Sequence, residues 1–278
     1  MNVKLSALAV GITLAYGMSS AALADIATIE QYGNSNVAEI EQSGNNGEGD
    51  ARIYVMGNDN NHTITQTDTT RSWAEIIAFG SGNTATITQD ELNYGGATVY
   101  QGAFNSRASV SQGGSATTVA ALGQGGGSNG RGPGGGGPGR GNGNGNGNGN
   151  GSGGTVGAES QWAFIYQNSG WGHDANIVQN GAKVEATIVQ DGSWFFGARG
   201  NSADITQTGT GEAFNIARVT QNGSRNDTDI VQTGYDLRST VNQVGVNNRA
   251  NITQSGNGHI ATVTQWGVGN SATIRQSN

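Results

Sequence analysis

Nineteen copies of one short unit, Ala-x-Ile/Val-x-Gln, run through this chain, most often 11 residues apart. The first is Ala27-Thr28-Ile29-Glu30-Gln31 and the last Ala272-Thr273-Ile274-Arg275-Gln276. The third position is Ile or Val in all 19; the fifth is Gln in 16, the exceptions being Val55, Ala78 and Ala121. The first is Ala in 15, replaced by His62, Thr117, Thr228 and Ser239. A unit this short cannot bury a face alone, so it must stack on its neighbours with like residues in register.

Alternate side chains of a strand point to opposite faces. Positions 1, 3 and 5 of the copies contain no Asp, Glu, Lys or Arg, whereas positions 2 and 4 carry Glu30, Glu39, Glu41, Arg52, Glu75, Asp204, Arg218, Asp229 and Arg275. The neutral face therefore points inward. A buried glutamine costs a few kcal/mol unless its amide is bonded. Stacked identical amides answer each other in a ladder. The β-branched third residue suits an extended backbone, and alanine lets two sheets approach. This predicts a core ladder that includes Ile29, Gln31, Ile40, Gln42, Ile188, Gln190, Val241, Gln243, Ile252, Gln254, Val263, Gln265, Ile274 and Gln276.

The connections repeat as well. Gly lies two residues after the fifth position in 14 copies, as at Gly33, Gly245 and Gly267, where a positive φ would turn the chain sharply. Asn stands two residues before the following copy at Asn36, Asn248 and Asn270, where it would tolerate left-handed geometry and bond the turn. Strand plus arc makes 11 residues, and two halves close a flat coil of 22. The predicted fold is all-β: a β-solenoid of two facing parallel sheets without a cavity.

Residues 1–24 read as a secretory signal peptide, with Lys4, an apolar run from Leu5 to Tyr16 and an Ala22-Leu23-Ala24 cleavage site. Repeats fill 25–122 and 161–278, and a Gly/Asn-rich stretch at 123–160 reads as a flexible linker, since it cannot offset its chain entropy by burial. The relation between the two repeat blocks is left open by spacing alone. Past the leader, 12 Lys and Arg face 20 Asp and Glu, which argues against a nucleic-acid partner. No later run is long and apolar enough to insert in a membrane. The 49 glycines and absent cysteines give no core or disulfide frame of the usual enzyme kind.

No catalytic, cofactor or metal site is expected. The Gly256-Asn257-Gly258-His259-Ile260-Ala261 and Gly267-Val268-Gly269-Asn270-Ser271-Ala272 matches to a dinucleotide fingerprint precede strands, whereas that motif precedes a helix. His62, His173 and His259 lie far apart, and Glu39 and Glu41 share a solvated outer face with no cleft to desolvate an acid.

The unit Asn248-Arg249-Ala250-Asn251-Ile252-Thr253-Gln254-Ser255-Gly256 resembles the curlin repeat of bacterial curli subunits, and the resemblance extends over both repeat blocks. It implies export through an outer-membrane channel, nucleation by a partner subunit, and growth into extracellular amyloid fibres that mediate adhesion in a biofilm. Curli subunits commonly carry a Gly/Asn-rich segment directly after the leader to aid export. Here it lies mid-chain, so export aid and block spacer are both open roles for it, as are major subunit and nucleator for the chain. The rival readings are a monomeric surface adhesin and an ice-binding solenoid, the latter from Thr63/Thr65, Thr86/Thr88 and Thr262/Thr264. For a fibre former, the coil from Ala261 to Gln276 is expected to receive the coil from Ala27 to Gln42 of another copy.

Overall fold

The structure, a computed structural model, describes residues 26–44, 49–113, 158–192 and 200–278. The expected leader at 1–24, the repeat copy at Thr117 to Ala121, the Gly/Asn-rich stretch up to residue 157 and Trp194-Phe195-Phe196 lie outside the described residues. Within them the chain is all-β, with 16 strands joined by parallel pairing.

The strands form two layers. One holds β1 (Ile26–Tyr32), β3 (Asp50–Asn58), β5 (Thr70–Ser81), β7 (Leu92–Gln101) and β9 (Ala158–Gln167). It continues through the second halves of β10 (Asp174–Gly192) and β11 (Ser202–Ser224) to β13 (Arg238–Val246) and β15 (Ile260–Val268). The other holds β2 (Val37–Ser43), β4 (Asn61–Thr67), β6 (Thr84–Asp90), β8 (Arg107–Gly113), the first halves of β10 and β11, β12 (Asp227–Tyr235), β14 (Arg249–Asn257) and β16 (Ser271–Ser277). These are nine rungs per layer, a stack of about 40 Å at the usual strand spacing. We call them the odd and even layers.

The pairs align equivalent repeat positions, most often with the same residue: Ala175 opposes Ala203, Ile177 opposes Ile205 and Gln179 opposes Gln207. The inward Ala, Ile and Val side chains of both layers form one buried cluster. Outward positions alternate with them, as in the Glu-rich β2 and the Thr-rich β4.

The two repeat blocks form a single stack. β7 pairs directly with β9, and β8 with β10, so Ala97 faces Ala163 and Val110 faces Ile177 across the intervening chain. Eight rungs precede that insertion and ten follow it, β10 and β11 supplying two each. Both are whole numbers of coils, so the alternation of layers survives. Composition carries the glycine-rich stretch to 160, but β9 already begins at Ala158.

Coil length is less uniform than 22. The last coils keep it, with Asp227 below Arg249 and Arg249 below Ser271 in one file. The first coils run longer, with Ile26 against Asp50, and those through β10 and β11 longer still, with Ala186 against Ala217. The inward positions nevertheless stay in register across these coils, as Ile29 with Ile53 and Ile188 with Val219.

Arc glycines are required for two reasons. Gly245 has φ +126°, and a Cβ on it would lie 2.0 Å from the carbonyl oxygen of Gly267 on the next rung. The asparagines act differently from the sequence expectation: the left-handed residue is the one before, Ser35 or Asn247, and Asn36 and Asn248 sit buried behind it. Gly245→Ala is expected to cost about 2–4 kcal/mol through clash and strain together. Gly267→Ala, whose Cβ would meet nothing nearer than 3.8 Å, should cost about 1 kcal/mol from strain alone. Thermal unfolding of the two variants measures the difference.

Candidate functional site: side-chain ladders and the open end rungs

The inward glutamines make two kinds of hydrogen bond. Along the even layer each Nε2 donates to the Oε1 of the next rung, without a break from Gln42 through Gln66, Gln89, Gln112, Gln179, Gln207, Gln232 and Gln254 to Gln276, at 2.7–3.0 Å. The odd layer repeats this from Gln101 through Gln167, Gln190, Gln221 and Gln243 to Gln265. The second Nε2 hydrogen crosses the core. Gln190 donates to the carbonyl of Asp174 at 2.9 Å, Gln243 to Asp227 at 3.2 Å, Gln254 to Arg238 at 3.2 Å and Gln265 to Arg249 at 2.9 Å. Gln42 reaches Gly49 and Gln276 reaches Ile260 in the same way. Each amide thus ties its rung to the next and one layer to the other.

The apolar members of the predicted set flank these amides. Ile188, Val241, Ile252 and Val263 are buried, while Ile29, Ile40 and Ile274 are partly buried against the same cluster at the two ends. Gln31 stands apart. Its neighbour in the file is Val55, followed by Ala78, so its Nε2 is buried without a partner, as is the Oε1 of Gln101 beyond the gap.

A second ladder runs through the arcs and was not foreseen in the sequence. The backbone N–H and side-chain amide of Asn60 donate to Oδ1 of Asn36, and Asn226, Asn248 and Asn270 continue the pattern upward. Ser106 and His173 fill the same file between Asn83 and Asn201. Asn36 and Asn248 also bond the carbonyls of Gly57 and Gly267, which joins the two arc positions. Donation here points down the stack, opposite to the glutamines.

Outward side chains form files of their own. Tyr32, Tyr54, Phe79, Tyr100 and Tyr166 are in ring contact one after another, with centroids 4.8–5.8 Å apart, so these aromatics are not the isolated ones that separate repeats suggest. Asp204 lies beside Asp229, and both carboxyls are pushed above their usual range, first by burial and then by neighbouring carboxylates such as Asp227. The threonine pairs at Thr63/Thr65 and Thr86/Thr88 give way to Ser109/Ser111 and then Asn176/Val178 in the same files, and Thr262/Thr264 belong to the other layer. No threonine plane results.

The two ends differ. Among the described residues, β1 and β2 at one end and β15 and β16 at the other are paired on one side only. The Gly/Asn arcs, amide ladders and matching rungs together define a repeat type. A family model for the curlin associated repeat matches residues 27–48 and 245–277. The chain carries curlin repeats in those two segments. The two matches fall on the first and last coils, and strand register carries the curlin positions through every coil between them. No curated protein matches the chain.

Within a curlin ladder, removing one amide should orphan its neighbours. Gln190→Leu leaves Gln167 without an acceptor and Gln221 without a donor, and is expected to cost about 2–4 kcal/mol. Gln31→Leu removes an amide nitrogen that has no partner and should cost less than about 1 kcal/mol. Urea unfolding of both variants, compared at equal slope, checks the contrast.

Proposed function

We propose that this curlin-repeat chain is an exported subunit that adds end to end into curli-like amyloid fibres of a biofilm matrix, which mediate adhesion and aggregation. The observation that carries this reading is that each end lacks what the other presents. Gln276 donates across the core but to no glutamine above it, and Gln42 accepts from none below it, among the described residues. The Oδ1 of Asn270 lacks a donor, and Asn36 has no Oδ1 beneath it, in the same set. The space above Gly267 is open, where at Gly245 the next glycine carbonyl sits, and Gly33 offers such a carbonyl at the opposite end.

The outward files agree with the inward ones. If β15 and β16 of one copy receive β1 and β2 of the next, Arg275 falls beside Glu41 and Trp266 beside Tyr32 by simple continuation of register. An open sheet edge of this kind is ordinarily guarded; here both edges are matched to each other. The curlin family supports a partner subunit as nucleator and an outer-membrane channel for export. A self-templating stack needs no cofactor. Its functional element is the rung.

Fibre growth followed by thioflavin fluorescence and electron microscopy tests the reading. The purified chain should elongate from seeds. Arg275→Glu sets like charges at the junction and should slow elongation about 5-fold, with Glu41→Arg in the same chain restoring it. Gly267→Ala should fold but elongate poorly, because its Cβ occupies the place of the incoming carbonyl. A stable soluble monomer at micromolar concentration, without growth from seeds, contradicts the proposal.

A further inference from the structure

Three described rungs replace the first-position alanine with a polar residue: His62, Thr228 and Ser239. Two of these are fully accommodated. Thr228 accepts from Nε2 of Gln221 at 3.1 Å and donates to Oε1 of Gln243 at 2.9 Å, two fifth-position glutamines in the opposite layer. Ser239 is held in the same manner between Gln232 and Gln254. The first position of one layer thus always looks at the fifth position of the other.

His62 on β4 stands in that relation to β3 and β5. Their fifth positions are Val55 and Ala78, two of the departures from glutamine. These smaller, apolar residues leave volume for an imidazole and take away its partners. Accordingly His62 is fully buried, and neither ring nitrogen has a hydrogen-bond partner. Its neighbours within the layer are Ala38 and Ala85. No ionisable group faces it from β2, β3, β5 or β6: Glu39, Glu41, Asp50, Arg52, Arg71, Glu75 and Asp90 are all on outward or corner positions. His173, the other buried histidine, is different, since its Nε2 pairs with the carbonyl of Ser169 and its Nδ1 accepts from the N–H of Asn201.

We propose that His62 is a proton-operated release for the N-terminal coils: its protonation opens the rungs around β3 to β6 while the rungs from β12 onward stay closed. A charged imidazole in this place would have neither a counter-ion nor an acceptor. Burial alone lowers its pKa from 6.5 to about 4. The sign follows from proton uptake. Between those values the opened chain binds a proton that the closed stack refuses, so closure is fully favoured above pH 6.5 and weakens progressively down to about pH 4. Asp204 and Asp229, whose raised values act in the opposite sense, lie in distant coils. The release concerns the folded stack itself and does not depend on fibre formation.

Segment-resolved hydrogen exchange of the full chain, expressed as protection factors at pH 7.5 and 4.5, reads the effect. Opening of residues 50–90 should rise about 50- to 100-fold between the two conditions, and that of residues 227–277 should not follow. His62→Ala restores the residue of most other rungs and should abolish the rise. Ala78→Gln supplies an amide beside the imidazole and should reduce it. Equal pH dependence in the two segments, or an unchanged rise in His62→Ala, overturns the proposal. So does an imidazole resonance of His62 that titrates near pH 6.5 in the folded chain, a measurement that needs no variant.

Discussion

The structure depends on how a buried primary amide satisfies both of its N–H groups. One hydrogen of each inward glutamine goes to the identical amide one rung on, and the other crosses to a main-chain carbonyl of the opposing layer. A glutamine bonded this way costs little to bury, and any other arrangement leaves a donor stranded in an apolar core. The demand fixes much else. Rungs must align residue for residue, coils must close as whole pairs of strands, and first-position side chains must be small. In the last coils the arcs bring glycine against glycine, Gly223 under Gly245 and Gly245 under Gly267. Variation in coil length is tolerated only where no amide is involved.

Direction is a second consequence. Glutamine donors point from Gln42 toward Gln276, whereas arc asparagines donate from Asn270 toward Asn36. The stack therefore has two chemically distinct ends that match each other but not themselves. Such heterologous contacts do not close into dimers, and by translation they propagate into filaments. The stack is also unequal along its length. Its C-terminal rungs carry both amide ladders intact. The N-terminal rungs lose one ladder at Val55 and Ala78, enclose His62, and display the aromatic file from Tyr32 to Tyr166 on their outer surface. Amide bonding is thus continuous in the C-terminal coils and interrupted in the N-terminal ones.

Much of this was legible in the residues. Charge confined to positions 2 and 4 revealed which face is buried, and the 11-residue step revealed a coil of two strands. What stayed hidden depended on the third dimension. Nothing in spacing alone says that a glutamine also reaches across the core, because that contact joins residues of opposite layers. Asn36 looked like a left-handed turn residue, since Asn tolerates that geometry, but the buried ladder needed its amide and Ser35 took the turn instead. The continuity of the two blocks rests on pairing between residues far apart in the chain, such as Ala97 with Ala163, which spacing does not report. The orphaning of His62 follows only once Val55 and Ala78 are known to face it.

The central claim is that the first and last rungs are partners for one another in different copies. Fibres grown from an equal mixture of chains labelled with nitrogen-15 and chains labelled with carbon-13 report this directly by solid-state nuclear magnetic resonance. The account predicts an intermolecular contact between the side-chain nitrogen of Gln276 and the side-chain carbonyl of Gln42, with Trp266 near Tyr32. Contacts between like ends, Gln42 with Gln42 or Gln276 with Gln276, would contradict it.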